Sequence, residues 1–234
     1  TDLKTVTMTC DNCLGKHIKE PFENKSFFQI IAGTPGSGKT SFLFSMLIGK
    51  KDKRIYYKVF KDIIYVCPSS SQGSIENNPL SDLPDDSKFN SLNFDVFNKI
   101  NDNKEAYDKA EGDGKRRANQ LLIIDDCSSF LKDRLVAQHL ADIANNRRHV
   151  NLSIIILVQY VMSIPLNVRS QASSIVMFNT ANDHELDILR AEFINIGKRK
   201  FDELIEFVFR NKHDNLFVIR SGSIYKNLQK INIS

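Results

Sequence analysis

"IIAGTPGSGKTSFLFSML", residues Ile30 to Leu47, sets a glycine-rich turn between an apolar β-like run and a helix-like run. Gly33-Thr34-Pro35-Gly36-Ser37-Gly38-Lys39-Thr40, followed by Ser41, fills every fixed position of G-x-x-x-x-G-K-[ST], the Walker A or P-loop pattern. Its glycines let backbone N–H groups converge on phosphate oxygens and reach φ values closed to other residues. Lys39 brings a positive charge to the β- and γ-phosphates, and Thr40 brings a hydroxyl to Mg²⁺. The opening of the following helix adds its dipole.

The rest of the chain alternates strand and helix around this turn. Strands are expected at Ser26–Gly33, Lys61–Pro68, Leu121–Ile124, Leu152–Val158 and Ser174–Phe178. Helices are expected at Lys39–Ile48, Phe94–Ala110, Arg134–Asn145 and from near Asp183. The runs LLII and LSIIILV are apolar without alternation, as in central parallel strands covered on both faces. This pattern predicts an α/β P-loop NTPase with a central, mostly parallel sheet flanked by helices. Residues 69–90, rich in Ser, Asn, Pro and Asp, read as a long loop. The C-terminal stretch IEFVFRNKHDNLFVIRSG, Ile205 to Gly222, reads as a β-hairpin of two alternating strands about a polar turn.

Length and composition agree with one such domain. The chain has 234 residues, 41% hydrophobic and 26% charged, which suits one sizeable core and fits neither a disordered nor a membrane class. We expect residues 1–25 to form an N-terminal arm and residues 26–234 the P-loop domain. The net charge of +4 leans toward a polyanionic partner without establishing one. The longest apolar run falls well short of the roughly 20 residues that span a bilayer, so no membrane span is expected. The opening residues also lack the basic-then-apolar pattern of a secretory signal. An intracellular chain with reduced thiols follows from that reading. Cys10, Cys13 and His17 form C-x-x-C-x-x-x-H, half of a zinc site with no second ligand pair at the usual spacing, and Cys67 and Cys127 read as small apolar residues at strand ends.

Further candidates for chemistry lie at other strand ends. LLIIDD supplies Asp125 as the Walker B carboxylate for the metal and Asp126 as a second acid to orient or deprotonate an attacking water. Successive strand residues point to opposite faces, so both can act only if the strand ends and turns there. Gln159, just past LSIIILV, is a candidate γ-phosphate sensor. Arg147 and Arg148 follow a helix, where they could serve its dipole or reach a neighbouring subunit's phosphate as a finger, with Arg169 as the competing candidate. Asn211-Lys212-His213-Asp214 fits N-K-x-D, a guanine-specificity element. No D-x-x-G follows the magnesium strand, however, and a polar turn accounts for the four residues.

Taken together, GTPGSGKTS, LLIIDDCSSF, LADIANNRRHVNLSIIILVQYVMSIPLNVRSQASSIVMF and the terminal hairpin resemble the poxvirus-type genome-packaging ATPases of the FtsK/HerA superfamily, found in large DNA viruses and virophages. The resemblance runs from about Phe27 to Ile219. It implies a ring of subunits, a pentamer or hexamer, on an ASCE-type P-loop core, using ATP and Mg²⁺ to drive double-stranded DNA into a capsid. It also implies capsid or portal-vertex partners, and a location in the host-cell cytoplasm at the virus factory or with the virion. Carried over, Lys39 and Thr40 serve ATP and Mg²⁺, Asp125 the metal, Asp126 the water, Gln159 sensing, and Arg147 or Arg148 the trans finger. Many superfamily members have Glu where Asp126 stands, one methylene longer. DNA contacts are expected from loops facing a ring's pore, with Lys115–Arg117 and Lys198–Lys200 as basic clusters able to meet phosphates. The rival readings are a nucleotide-gated assembly protein with slow turnover and a small-molecule kinase. The second lacks the arginine-rich lid that would shield a phosphoryl group from water.

Overall fold

The computed structural model describes residues 13–48, 55–69, 78–110 and 119–232. Among these residues nine strands, given below in chain order, form one sheet in the order β3-β2-β4-β5-β1-β6-β7-β8-β9. In chain order the elements are β1 (Phe28–Ala32), α1 (Lys39–Ile48), β2 (Asp62–Val66), β3 (Lys88–Phe89), α2 (Phe94–Lys109), β4 (Gln120–Asp125), α3 (Arg134–Asn146) and β5 (Leu152–Val158). They continue with α4 (Leu166–Arg169), β6 (Ser174–Phe178), α5 (Asp183–Ile188, running on in a π-turn to Ile194), α6 (Lys198–Val208), β7 (Asn215–Ile219), β8 (Ile224–Lys226) and β9 (Gln229–Ile231).

The six strands from β3 to β6 are mutually parallel, and β7 to β9 continue the sheet antiparallel. One consequence governs the site. The carboxyl ends of β1, β2, β4, β5 and β6 share an edge. Because Phe178 pairs with Asn215 across the antiparallel ladder, the amino end of β7 joins them there. Strand β5 lies between the glycine-loop strand β1 and the aspartate strand β4, with Leu157 in register with Ile31 on one side and Asp125 on the other.

Side chains on the two faces of the sheet divide the core. Ile30, Ile64, Ile124, Ile154 and Ile156 face a cluster shared with Val96, Ile100, Leu140, Ala144, Phe201 and Leu204 of α2, α3 and α6. Phe27, Ile31, Ile123, Ile155 and Val176 face the cluster holding Leu43, Met46 and Leu47 of α1. All seven residues of β5 are buried, which is why its sequence shows no alternation. Each such isoleucine stabilises the fold by about 1.5–3 kcal/mol relative to an exposed one. Helices α2 and α3 start where short polar side chains accept the first N–H groups: Asn93 Oδ1 from Asp95 and Val96, and Asp133 Oδ1 from Leu135 and Val136.

The expected hairpin over Ile205–Gly222 needs correction. Its first half, IEFVF, is the end of α6, where Phe201, Leu204 and Val208 bury one helical face. The apolar residues fit period 2 over a few positions and helical spacing over eleven, and packing on the sheet decides for the helix. The C-terminal antiparallel strands are β7, β8 and β9, with β8 and β9 joined by Asn227 and Leu228, both at positive φ. The loop expected over 69–90 contains a 3₁₀ turn at Asp85–Ser87 and the two-residue edge strand β3, too short to leave a periodic signal.

Of the expected N-terminal arm, residues 13–25 are described, and Leu14, Ile18 and Phe22 are buried in the α1-side cluster. Cys10 lies outside the described residues, as does the basic cluster Lys115–Arg117. Cys13 is exposed, and His17 Nε2 lies 3.1 Å from the Ile55 carbonyl oxygen. Among the described residues no group of His, Cys, Asp and Glu could hold a metal on its own, and no helix is long and apolar enough to cross a membrane.

Candidate nucleotide site

The glycine loop leaves β1 with Gly33 N–H donating to the Val158 carbonyl, so the loop is tied to the end of β5 from its first residue. A side chain at Gly33 would stand 2.7 Å from both Phe178 Cβ and Ser37 Oγ, which reserves the position for glycine. Gly38 adopts φ +111°, closed to other residues, before Phe42 N–H closes the first turn of α1 on its carbonyl. The curled backbone and the helix start form a cradle for an anion.

Lys39 Nζ donates to the carbonyls of Gly33 (2.6 Å) and Thr34 (3.1 Å), which holds the ammonium over the loop. Burial lowers its pKa, opposed by the negative charges of Asp125 and Asp126. The reciprocal effect falls on Asp125 at the end of β4. Burial and the neighbouring Asp126 push its carboxyl up to about 6, against the pull of Lys39. Asp125 stands two strands from β1, about 10 Å at the backbone, a span that leaves room for phosphate between them.

Strand β4 ends at Asp125, and Asp126 adopts φ +80°, a left-handed conformation uncommon outside glycine. The chain therefore turns at Asp126, which is the condition for two consecutive acids to serve one edge. The helix after this turn takes its cap from Asp133. Beneath the turn the Cys127 thiol is buried and donates to the carbonyls of Asp125 (3.3 Å) and Val66 (3.8 Å). Burial pushes its pKa up to about 12, so it acts as a structural hydrogen-bonded thiol and not as a nucleophile. Cys67 is likewise buried at the end of β2. Gln159 follows β5 directly, exposed, on the edge between Gly33 and the aspartates.

The arginines stand elsewhere. Arg147 leaves the end of α3 at the opposite, amino edge of the sheet. Its Nη1 donates to Ala144 O, and its buried Nε has no partner among the described residues. Arg148 and Arg147 both hold charge near Glu23, whose half-buried carboxylate accepts from the Ser173 and Ser174 hydroxyls. From this edge neither arginine faces its own chain's glycine loop. Arg169 is engaged within the chain by a two-pronged pair with Glu192 and a bond to Ile164 O. Lys198, Arg199 and Lys200 form the exposed first turn of α6.

Sequence reasoning missed His213. By sequence it reads as part of a polar hairpin turn, but the 211–214 turn joins α6 to β7 and meets the glycine loop, with His213 Nδ1 2.9 Å from Ser37 O. In the tautomer protonated at that nitrogen the ring donates to the loop carbonyl. Asp214 in the same turn is saturated. Its carboxylate accepts from Asn227 Nδ2, from the Arg210 and Asn211 N–H groups and from Asn211 Nδ2, which holds its pKa down at about 2.

Comparison with known proteins agrees with this fold. The chain resembles the DNA-packaging ATPase B204 from Sulfolobus Turreted Icosahedral Virus, at 21% identity and TM-score 0.57, over 88% of this chain and 98% of that one. The ATP-gammaS complex of the genome packaging NTPase B204 from Sulfolobus turreted icosahedral virus 2 matches at 18% identity and TM-score 0.56, over 86% and 96% of the two chains. The pCW3 conjugation coupling protein TcpA, with ATPgS, matches at 13% identity and TM-score 0.58, over 90% and 61%. These likenesses place the fold among P-loop NTPases. An uncharacterized protein, 015R, of Frog virus 3 (isolate Goorha) is 25% identical over 185 residues, covering 78% of this chain. The chain spans about half, 53%, of that relative's length. The Poxvirus A32 protein family matches residues 16–232, nearly all of the chain. The chain belongs to the Poxvirus A32 protein family.

Proposed function

We propose that this chain is the motor subunit that translocates double-stranded DNA into a viral capsid, driven by ATP hydrolysis at the carboxyl edge of its sheet. The carrying observation is the turn at Asp126, which sets a second acid beside Asp125 opposite the Lys39 ammonium. A site that only bound nucleotide would not need that second acid. The residues fit ATP and Mg²⁺: the glycine loop leaves a cradle that side chains would fill, and the Thr40 hydroxyl and Asp125 carboxylate are hard oxygen donors of the kind magnesium takes. When bound, the metal supplies charge neutralisation at the phosphates.

The chain's own residues divide the work. Loop N–H groups and Lys39 orient the phosphates and offset charge that builds on them. Asp126 orients water and accepts its proton, and Gln159 reports the terminal phosphate to the neighbouring strand end. Arg147 and Arg148, on the far edge, act in trans in a pentameric or hexameric ring whose neighbours set one chain's amino edge toward the next chain's glycine loop. The Lys198–Lys200 turn supports DNA contact. Three cations in the first turn of α6, with no acid there, oppose the helix dipole and so cost stability unless they serve a polyanion. The Lys115–Arg117 cluster joins it in the proposal. Capsid or portal-vertex proteins are the docking partners, in the host-cell cytoplasm at the virus factory or with the virion.

Steady-state ATP hydrolysis with and without long double-stranded DNA, at low and moderate salt, tests this. Stimulation that weakens as salt rises is the expected result, because phosphate contacts release counterions. Turnover indifferent to DNA would refute the motor and leave a nucleotide-gated assembly ATPase.

A further inference from the structure

Glu185 of α5 is 2% exposed, and the nucleotide site described above makes no use of it. Its carboxylate accepts from two backbone N–H groups far back in the chain, Val161 to Oε2 at 2.5 Å and Met162 to Oε1 at 3.1 Å. A buried carboxylate is costly unless it is hydrogen-bonded, so these two bonds are what lets the side chain stay inside.

Val161 and Met162 open a 3₁₀ turn, Val161–Ser163, two residues beyond the end of β5. The N–H groups of Ser163 and Ile164 bond within the turn, to the carbonyls of Tyr160 and Val161. The two before them have no partner of that kind, as at the start of any helical turn. Asn93 and Asp133 meet this need locally for α2 and α3. Tyr160 stands at the same place here, and its side chain makes no capping bond. The acceptor comes instead from α5, across the fold.

The consequence falls on Gln159. Strand β5 is held at Val158, whose carbonyl accepts the Gly33 N–H of the glycine loop. The chain is held again at Val161 and Met162 by Glu185. Only Gln159 and Tyr160, both exposed, lie between the two clamps. The outer clamp is itself seated, because Asn182 Oδ1 caps α5 at His184 N–H and Leu189, just past α5, shares a buried cluster with Val161.

We propose that Glu185 is a positioning residue for ATP hydrolysis, fixing the turn after β5 so that the Gln159 carboxamide is presented to the terminal phosphate. The inference rests on the sensor role given to Gln159 above. A carboxamide on a long side chain reaches one geometry reliably only from a fixed backbone, and a displacement of about 1 Å at a reacting centre can cost on the order of 100-fold in rate.

Steady-state hydrolysis by the full chain with long double-stranded DNA, for Gln159→Ala, Glu185→Gln and the double variant, tests this, with ATPγS affinity and melting temperature measured alongside. Gln159→Ala should lower kcat roughly 100-fold. Glu185→Gln keeps the side chain's size but sets an NH₂ group against one of the two N–H donors. It should lower kcat about 10-fold and leave KM and ATPγS affinity within about 2-fold, since the glycine loop and Lys39 are untouched. In the Gln159→Ala background the same change should cost no more than about a further 2-fold, because no carboxamide remains to be positioned. Glu185→Asp, which draws the carboxylate back by one methylene, should act in the same direction. If Gln159→Ala leaves turnover unchanged, the sensor reading fails and this inference with it. If Gln159→Ala lowers turnover while Glu185→Gln does not, or if the two losses multiply in the double variant, Gln159 keeps its role and Glu185 does not position it. If both Glu185 variants lose the fold, or lose ATPγS binding together with turnover, Glu185 serves the fold alone and the inference is overturned.

Discussion

The two edges of the sheet each hold a half-buried carboxylate, and they treat it differently. At the amino edge Glu23 lies under the ends of β1 and β6; burial raises its pKa, but two serine hydroxyls and the charges of Arg147 and Arg148 pull it back. At the carboxyl edge Asp125 is pushed up to about 6 by burial and by a second acid beside it, and the opposing charge comes from Lys39, itself pushed down by burial. Asp126 adds a left-handed backbone. Hydroxyls and neighbouring charges offset the carboxylate at one edge within the chain. The other stores electrostatic and backbone cost, the condition of a site organised for a charged ligand.

Substitutions at the two edges should therefore separate turnover from stability. The largest effect is expected from Lys39→Ala, with ATP turnover falling by roughly 1,000-fold as the charge opposite the phosphates is lost, measured by steady-state phosphate release. Asp126→Asn should cut turnover on the order of 100-fold while ATPγS binding persists; unchanged turnover would remove Asp126 from the water's path. Glu23→Ala should do the reverse. Chemical denaturation should show a loss of about 1–3 kcal/mol from stranded hydroxyls and an uncompensated Arg147, with ATPγS affinity unchanged. A loss of nucleotide binding there would break the contrast between the edges.

The smallest effect concerns Asp125. Its folded pKa, about 6, lies above the ordinary aspartate value of 3.8, so the folded state holds an extra proton between those values. The carboxyl's contribution to stability consequently falls as pH rises from about 4 to 6 and stays low above that range. Asp125→Asn should then stabilise the nucleotide-free chain by on the order of 1–2 kcal/mol at pH 8, and much less at pH 4. Equal effects at both pH values would show that the carboxylate is not destabilised in the fold.

Much of this site could be read from sequence because its signals are local. The residues from Gly33 to Ser41 carry their own strand, turn and helix start, and Asp125 and Gln159 each end a continuous apolar run. What could not be read depends on strands that pair across long stretches of chain. Nothing in Asn211–Asp214 announces that β7 runs antiparallel to β6 and so delivers His213 to the loop. The IEFVF segment is rich in β-formers and alternates only over Ile205, Glu206 and Phe207, and packing on the sheet shows it to be a helix end. Arg147 and Arg148 were legible as a helix terminus, whereas the edge they occupy follows from the topology.

The most direct test of the central claim is displacement of a triplex-forming strand from long linear duplex DNA by the assembled protein. The account predicts displacement that requires hydrolysable ATP and is lost in Asp126→Asn. ATP hydrolysis stimulated by DNA with the third strand left in place would contradict it.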